Sequence, residues 1–416
     1  MLVQGALQLP GDKSISHRSI MLSAIADGVS YVRNLNDGAD LQSTINILKD
    51  CGASIEQKED EIIISGKELH SPSKDLDCGN SGTTTRLLAG LLSSQKLIFT
   101  LTGDESLSKR PMKRIVTPLV AMGCKISSNN GLLPLSVDAS DGITAIDYDM
   151  TVASAQVKSS ILFSALGGNN VSSINEIIPT RNHSEIMLKN MGVSIEREGS
   201  KIIVHPLKSK LKSIDISVPS DPSSAAFFAA FAVINNNSNL KLTNVLLNDS
   251  RIGFVEVLNQ MNCLISKSNE SVHNGEKVGD LTISSSKLKA IEIKSETIPS
   301  IIDEVPILAV VAAFANGTTV FKNVEELKYK ECDRLRAIIH NLEAFGIKAY
   351  EKNNDLFVEG GKVKRMPTIT TFDDHRIAMA FTILSLTSFK KYELDNRSCV
   401  DISLPNFFNY LSEIAK

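Results

Sequence analysis

Along this chain, apolar residues at helical spacing give way repeatedly to short β-branched runs, and one composite of the two returns. Leu48-Lys49-Asp50-Cys51-Gly52-Ala53-Ser54-Ile55 recurs in outline as Leu119-Val120-Ala121-Met122-Gly123-Cys124-Lys125-Ile126 and as Leu188-Lys189-Asn190-Met191-Gly192-Val193-Ser194-Ile195. The second half supplies residues 258–265, with Asn262 at the glycine position, and residues 342–349 around Gly346. Glycine and asparagine are the two residues that tolerate the left-handed conformation ending a helix. Each copy therefore predicts an amphipathic helix, a cap and a strand. Polar turns and second apolar runs follow, Glu61-Ile62-Ile63-Ile64-Ser65 after Gly52 and Lys201-Ile202-Ile203-Val204 after Gly192, which read as hairpins. A spacing of about 70 residues exceeds the roughly 20–50 of solenoid repeats, so α/β subdomains packed into larger domains are expected.

Two places interrupt this pattern. Val218-Pro219-Ser220-Asp221-Pro222-Ser223-Ser224 sets two prolines and small polar residues before an apolar helix over 225–234, and Gly11-Asp12-Lys13 offers a second crossing. The expected division is a first domain of residues 13–220 and a second of 1–12 with 221–416.

Composition narrows the class. A chain of 416 residues, 42% hydrophobic and 22% charged, is that of an ordinary soluble protein long enough for two domains. Its N-terminus has no basic region followed by a long apolar run, and no stretch approaches a membrane span, so a cytoplasmic location is expected. The cysteines at 51, 78, 124, 263, 332 and 399 form no C-x-x-C pair and the histidines show no paired spacing. Neither disulfides nor a metal site is expected.

Charge supplies the candidate chemistry. The formal net charge is only −3, yet cations cluster in polar, glycine-bearing stretches: Gly11-Asp12-Lys13-Ser14-Ile15-Ser16-His17-Arg18, Asn80-Ser81-Gly82-Thr83-Thr84-Thr85-Arg86, Lys109-Arg110-Pro111, Lys330-Glu331-Cys332-Asp333-Arg334 and Asp373-Asp374-His375-Arg376. Local guanidinium and ammonium groups beside helix N-terminal amides suit a small ligand with several anionic groups. A nucleic-acid binder would need a basic stripe with stacking aromatics, whereas this chain has no tryptophan and 5% aromatic residues. The Walker A spacing is absent, which weakens a kinase reading.

Taken in order, Gly11-Asp12-Lys13-Ser14, Asn80-Ser81-Gly82-Thr83, Arg110-Pro111, Ser154-Ala155-Gln156, Lys330-Glu331-Cys332-Asp333-Arg334 and Asp374-His375-Arg376 resemble the enolpyruvylshikimate phosphate synthases, the 3-phosphoshikimate 1-carboxyvinyltransferases of the shikimate pathway. The likeness runs from Gly11 to Pro405. It implies the two-domain enolpyruvyl transferase fold, an α/β inside-out barrel with three βαβαββ subdomains in each domain, the active site in the interdomain cleft, and closure on substrate binding. A sixth repeat is then expected that the sequence does not display. The implied reaction transfers the enolpyruvyl group of phosphoenolpyruvate to the 5-hydroxyl of shikimate 3-phosphate, with no cofactor, as a monomer. That chemistry supports the biosynthesis of chorismate and the aromatic amino acids.

By resemblance, Lys13 touches both substrates; Ser14, Arg18, Ser154, Gln156, Arg181, Asp303 and Lys330 bind shikimate 3-phosphate; and Gly82, Arg110, Gln156, Arg334 and Arg376 bind phosphoenolpyruvate. Asp303 is the expected acceptor of the hydroxyl proton and Glu331 the proton donor, with Lys13 the third catalytic group. Lys158 and residues 180–185 would complete the wall around the acceptor. Local readings compete with each role. Ser14 and Ser16 also suit a helix cap. Glu331 could pair with Arg334 at i, i+3 on a helix for about 0.2–0.5 kcal/mol. Apolar neighbours around Asp303 could raise its carboxyl pKa by desolvation, although a nearby lysine would oppose that. His375 suits a structural role as well as one beside Arg376.

Departures are informative. Ile402 stands where many relatives carry a lysine that touches phosphoenolpyruvate, Ala155 replaces a serine, and His183 takes the place of a tyrosine. The last two resemble the family's second subclass, often tolerant of glyphosate. The sister transferase acting on UDP-N-acetylglucosamine usually carries a reactive cysteine in the loop before its Arg-Pro. Here residues 103–109 contain none.

Overall fold

The computed structural model describes residues 1–416, which divide into two compact units. One comprises Lys13–Val218 with His273–Gly275, and the other Met1–Asp12, Pro219–Val272 and Glu276–Lys416.

The Lys13–Val218 unit repeats one wiring three times. Strand Leu76–Asp77 runs parallel to Ile98–Thr102, which pairs antiparallel with Leu132–Asp138, itself paired with Lys125–Asn129. Helices Gly82–Ser94 and Lys113–Ala121 connect these strands in βαβαββ order. Asp147–Asp149, Ser172–Asn175, Ile195–Glu198 and Lys201–Val204 repeat the sheet, with helices Ala155–Ala165 and His183–Asn190. In the first repeat the leading strand comes from the far end of the segment: Asp215–Ser217 lies parallel to Val29–Arg33, so the last residues close the first sheet.

The helices are inside and the hairpins outside. Residues Ile15 to Ala24 of helix Lys13–Ala24 are all buried, as are most of Gly82–Ser94 and Ala155–Ala165, while the strand Ile195–Glu198 is mainly exposed. Gly90 permits the close approach of the last two helices. A Cβ there would lie 2.1 Å from the Ser160 carbonyl oxygen.

The other unit is built the same way, with a different closure. Strand Gln4–Gln8 runs parallel to Asn239–Leu246, and the hairpin Leu264–His273 and Glu276–Ser284 completes that sheet. Glu292–Ile293, Thr318–Phe321, Ala349–Lys352 and Asp355–Glu359 form the next. The third copy, invisible as a sequence repeat, is reduced to a single parallel bridge between Ile369 and Leu394 flanking helix His375–Phe389. A 3-10 turn Ser398–Ile402 and helix Phe407–Ile414 stand in place of its second half. Helices Pro222–Ile234 and Val305–Ala313 are apolar nearly all round because they are buried on every side.

All five expected caps adopt the left-handed conformation, with φ of 93° at Gly52, 99° at Gly123, 96° at Gly192, 74° at Asn262 and 84° at Gly346. The first motif differs from expectation. Its helix already begins at Lys13, which puts Ser14 and Ser16 inside the first turns rather than at the cap. The Ser16 hydroxyl instead accepts the Asn36 N–H at 3.0 Å. No helix is long and apolar enough to cross a membrane.

Candidate active site

In the Lys13–Val218 unit the candidate residues gather where the three buried helices start. Lys13 opens its helix and pairs with Asp40 at 2.5 Å, a partner on helix Ala39–Asp50 that motif reading did not single out. Gly82 opens the second helix, capped by Ser81, whose hydroxyl accepts the Thr84 N–H. Ser154 caps the third in the same way through Val157 N–H, so Gln156 lies in its first turn. Three helix N-termini with their outward N–H groups are suited to anions.

Arg110, Arg86 and Arg18 each donate to neutral groups here. Arg110 is buried and donates through Nη2 to Asn80 Oδ1 at 2.5 Å and to Ser106 Oγ at 3.3 Å. Gln156 receives Arg86 Nη1 on its carbonyl at 2.5 Å and donates its amide to Thr83 Oγ1 at 3.0 Å, so Arg86 orients a candidate ligand residue. Arg18 donates to Ser184 Oγ at 2.7 Å, Ser159 Oγ at 2.8 Å and the Ser14 carbonyl at 2.9 Å. These bonds bring Ser14 and Arg18 together with the helix carrying Gln156 and the helix that follows Arg181. Lys158 is not part of an exposed wall: it is fully buried, and its ammonium is held by Glu176 and Glu185.

In the other unit a second cluster centres on Asp303. Its Oδ1 lies 3.3 Å from Arg334 Nη1 and 3.7 Å from Lys330 Nζ, its Oδ2 3.9 Å from Arg376 Nη2, and its carbonyl accepts Arg376 Nη1 at 3.0 Å. The apolar neighbours that suggested a desolvated carboxyl turn elsewhere: Ile301 and Val305 are fully buried, while the carboxylate faces three cations. Arg334 is buried and tied by Nε to Asp374 at 2.7 Å and by Nη2 to Glu331. Burial opposes its charge, but Asp374, Glu331 and Asp303 outweigh that and hold its pKa above the ordinary value.

The Glu331–Arg334 pair does form, across the N-cap rather than along a helix. Asp333 caps helix Arg334–Ala344 through Arg336 N–H, and Glu331 precedes it. Asp374 has two tasks, since its other oxygen caps helix His375–Phe389 through the N–H groups of Arg376 and Ile377. His375 is buried at the start of that helix.

Behind this cluster runs a buried chain of polar groups that sequence reasoning missed. Arg251 joins Asp12 at 2.5 Å, Asp221 at 3.3 Å and the Ser223 hydroxyl at 3.0 Å; Ser223 donates to Glu304, which lies 3.8 Å from Arg376 Nη1. Asp12 and Pro219 are also joined directly, N–H to carbonyl, at 2.7 Å. Arg251 lies in Asn248-Asp249-Ser250-Arg251, which has no signature beyond a charged turn. Contact partners far apart in sequence leave no local pattern to read.

The arrangement can bind two or more anionic groups and can exchange protons through Asp303 and Glu331. The model of the EPSP synthase (3-phosphoshikimate 1-carboxyvinyltransferase) family matches residues 2–411. The 3-phosphoshikimate 1-carboxyvinyltransferase of a Thermoanaerobacter species is 42% identical over 409 residues, covering 98% of this chain and 96% of that protein. The protein of that name from Caldicellulosiruptor saccharolyticus is 43% identical over 418 residues, covering 98% and 96%. A solved EPSP synthase from Acinetobacter baumannii superposes with a TM-score of 0.88 at 38% identity, covering 99% of this chain and 96% of that one. Matched from end to end in sequence and fold, this chain belongs to the EPSP synthase family.

Proposed function

We propose that Lys13, Arg110 and Gln156 of one unit and Asp303, Lys330, Glu331, Arg334 and Arg376 of the other act on one pair of substrates, phosphoenolpyruvate and shikimate 3-phosphate, in the family's reaction. The chain is a 3-phosphoshikimate 1-carboxyvinyltransferase. The 5-hydroxyl of the shikimate ester adds to the central carbon of phosphoenolpyruvate while the methylene carbon takes a proton, giving a tetrahedral ketal phosphate. Loss of a proton from the new methyl carbon and expulsion of phosphate leave the enolpyruvyl ether.

The observation that carries the division of labour is the convergence of Lys330, Arg334 and Arg376 within 3.9 Å of one carboxylate, Asp303. Asp303 is an oriented acceptor for the hydroxyl proton, and the cations beside it suit the charges of the two substrates. Glu331, partly exposed and tethered by Arg334, is placed to give and regain the carbon-bound proton. Arg110, Arg334 and Arg376 bind phosphoenolpyruvate with the amides around Gly82. Ser14, Arg18, Ser154, Gln156, Arg181 and Lys330 bind the shikimate ester, and Lys13 and Gln156 meet both substrates. The carboxylates that hold Arg334 and Arg376 keep them oriented until the anion arrives, which reduces reorganisation at the moment of reaction.

The test is phosphate release from phosphoenolpyruvate with shikimate 3-phosphate and UDP-N-acetylglucosamine as parallel acceptors. Release is expected only with the shikimate ester. Asp303→Ala should lower kcat by about 10²–10⁴-fold, the range for a general acid or base. An Asp303→Ala enzyme of near-normal kcat would overturn the assignment.

The subclass features Ala155 and His183 lead us to expect weak glyphosate inhibition, and an inhibition constant in the low micromolar range would refute that. We propose that the protein is a cytoplasmic monomer, and light scattering at assay concentration tests its stoichiometry.

A further inference from the structure

The buried cluster around Lys158 is not used by the mechanism above. Lys158, on helix Ala155–Ala165, is 0% exposed, and Glu176 is 1% exposed. The ammonium donates to the Thr180 carbonyl at 3.3 Å and is ion-paired with Glu176 Oε1 at 2.9 Å and Glu185 Oε1 at 2.8 Å. Glu176 Oε1 also accepts the Thr180 N–H at 2.9 Å and the Thr180 hydroxyl. Its Oε2 faces the Arg197 guanidinium at 3.2 and 3.3 Å. Burying such a group is expensive unless it is fully paired, and apolar packing usually serves stability as well or better. Stability alone is therefore a weak account of the arrangement.

What these groups share is the segment they grip. Thr180 is held through its N–H, its C=O and its hydroxyl at once. Arg181 follows directly. Glu185, the other anchor of Lys158, lies in the first turn of the succeeding helix His183–Asn190. The same helix presents Ser184 to Arg18. Arg181 is thus bracketed on both sides by contacts that meet at one ammonium.

We propose that Lys158, with Glu176 and Glu185, is a positioning residue that fixes the backbone of Arg181 for the phosphate of the acceptor, without touching substrate itself. The proposal rests on the reading of Arg181 as a ligand of that phosphate. It also makes one device of two motifs, Ser154-Ala155-Gln156-Val157-Lys158 and Arg181-Asn182-His183-Ser184-Glu185.

A double-mutant cycle on the full enzyme tests it. Lys158→Met should raise KM for shikimate 3-phosphate at least about tenfold, the equivalent of about 1.4 kcal/mol, and leave KM for phosphoenolpyruvate within about twofold. Arg181→Gln should do the same, and the double variant should be no worse than Arg181→Gln alone. Glu185→Leu should share the effect, with Glu185→Gln, which keeps an acceptor, near wild type. This second pair decides the matter if Lys158→Met fails to fold.

A normal KM for the ester in both Lys158→Met and Glu185→Leu, beside a raised one in Arg181→Gln, would sink the positioning role alone. Multiplying effects of Lys158→Met and Arg181→Gln, or equal damage to both KM values and kcat, would also sink it. An Arg181→Gln enzyme with unchanged KM for the ester would overturn the phosphate reading and the proposal with it.

Discussion

Cys332 sits between Glu331 and Asp333, with its sulfur 3.7 Å from Asp374 Oδ2. Burial pushes this thiol well above its ordinary range and the Asp374 charge pushes it further, against a smaller opposing effect of Arg334. A thiol so raised holds almost no thiolate at neutral pH and is inert. Native protein treated with iodoacetamide at pH 7 should keep Cys332 unmodified by peptide mass spectrometry over a time that fully labels the unfolded chain. Labelling at the unfolded rate would contradict this. Gly82 makes a sharper prediction. A Cβ there would lie 2.9 Å from Arg86 Nη1 and 3.6 Å from Arg110 Nη1, in the space the guanidinium groups face. Gly82→Ala should raise KM for phosphoenolpyruvate at least about tenfold, the scale of one misplaced methyl group in a fitted site, and KM for the shikimate ester by a smaller factor, through Arg86 and the Gln156 it holds. Steady-state kinetics in both substrates decides.

At the scale of elements, the strand Asn239–Leu246 shifts register between Leu242 and Val245, and Asn244 there has φ of 52°. Asp280 on the facing strand pins the irregularity, accepting the Asn244 N–H at 3.0 Å, Asn269 Nδ2 at 2.8 Å and Lys241 at 2.9 Å. Its carboxyl is held below the usual range, chiefly by the hydrogen bond from Lys241. A folded-state pKa below the unfolded one contributes stability above about pH 4, and that contribution disappears as pH falls through the folded value. Asp280→Asn should therefore lower Tm at pH 7 by a few degrees, with the gap narrowing steadily below pH 4. A gap independent of pH would refute the charge argument.

Elements were the most legible level of the sequence, for a physical reason. The five caps announce themselves because only glycine and asparagine accept their φ cheaply, and the hairpins because β-branched runs follow polar turns. The site motifs were legible as well, since Lys13, Gly82 and Gln156 lie in the first turns of helices and Ser81, Ser154 and Asp374 act as caps. What escaped were the supports, Asp40, Glu176, Arg251 and Glu304. Each acts on a cation or partner group 18 or more residues away in sequence, with which it shares no local spacing, and a buried glutamate looks like any other until the fold closes. The sixth subdomain escaped because a single bridge imposes almost no sequence pattern. Ile402 ends the 3-10 turn of that same subdomain, the least regular part of the fold.

At the scale of the whole molecule, the two units differ in how they are cut from the chain. Residues 13–218 contain all three of their four-stranded sheets, including the closing strand Asp215–Ser217. Expressed alone, that segment should melt cooperatively by circular dichroism. Residues 219–416 alone lack Gln4–Gln8, the parallel neighbour of Asn239–Leu246, and leave an unpaired edge over buried Leu240 and Leu242. That fragment should aggregate or melt broadly, and a peptide of residues 1–12 should sharpen its transition. Two equally cooperative fragments would refute the asymmetry.

The parallel pairing of Gln4 with Asn239 also dictates a schedule for the ribosome. At synthesis rates of roughly 5–20 residues per second, the first strand emerges on the order of ten to fifty seconds before its partner. During that interval the whole 13–218 segment leaves the exit tunnel and has time to fold. The earliest-made residues are thus among the last to be placed, and the nascent chain must carry Leu7 and Leu9 exposed until the second unit arrives to cover them.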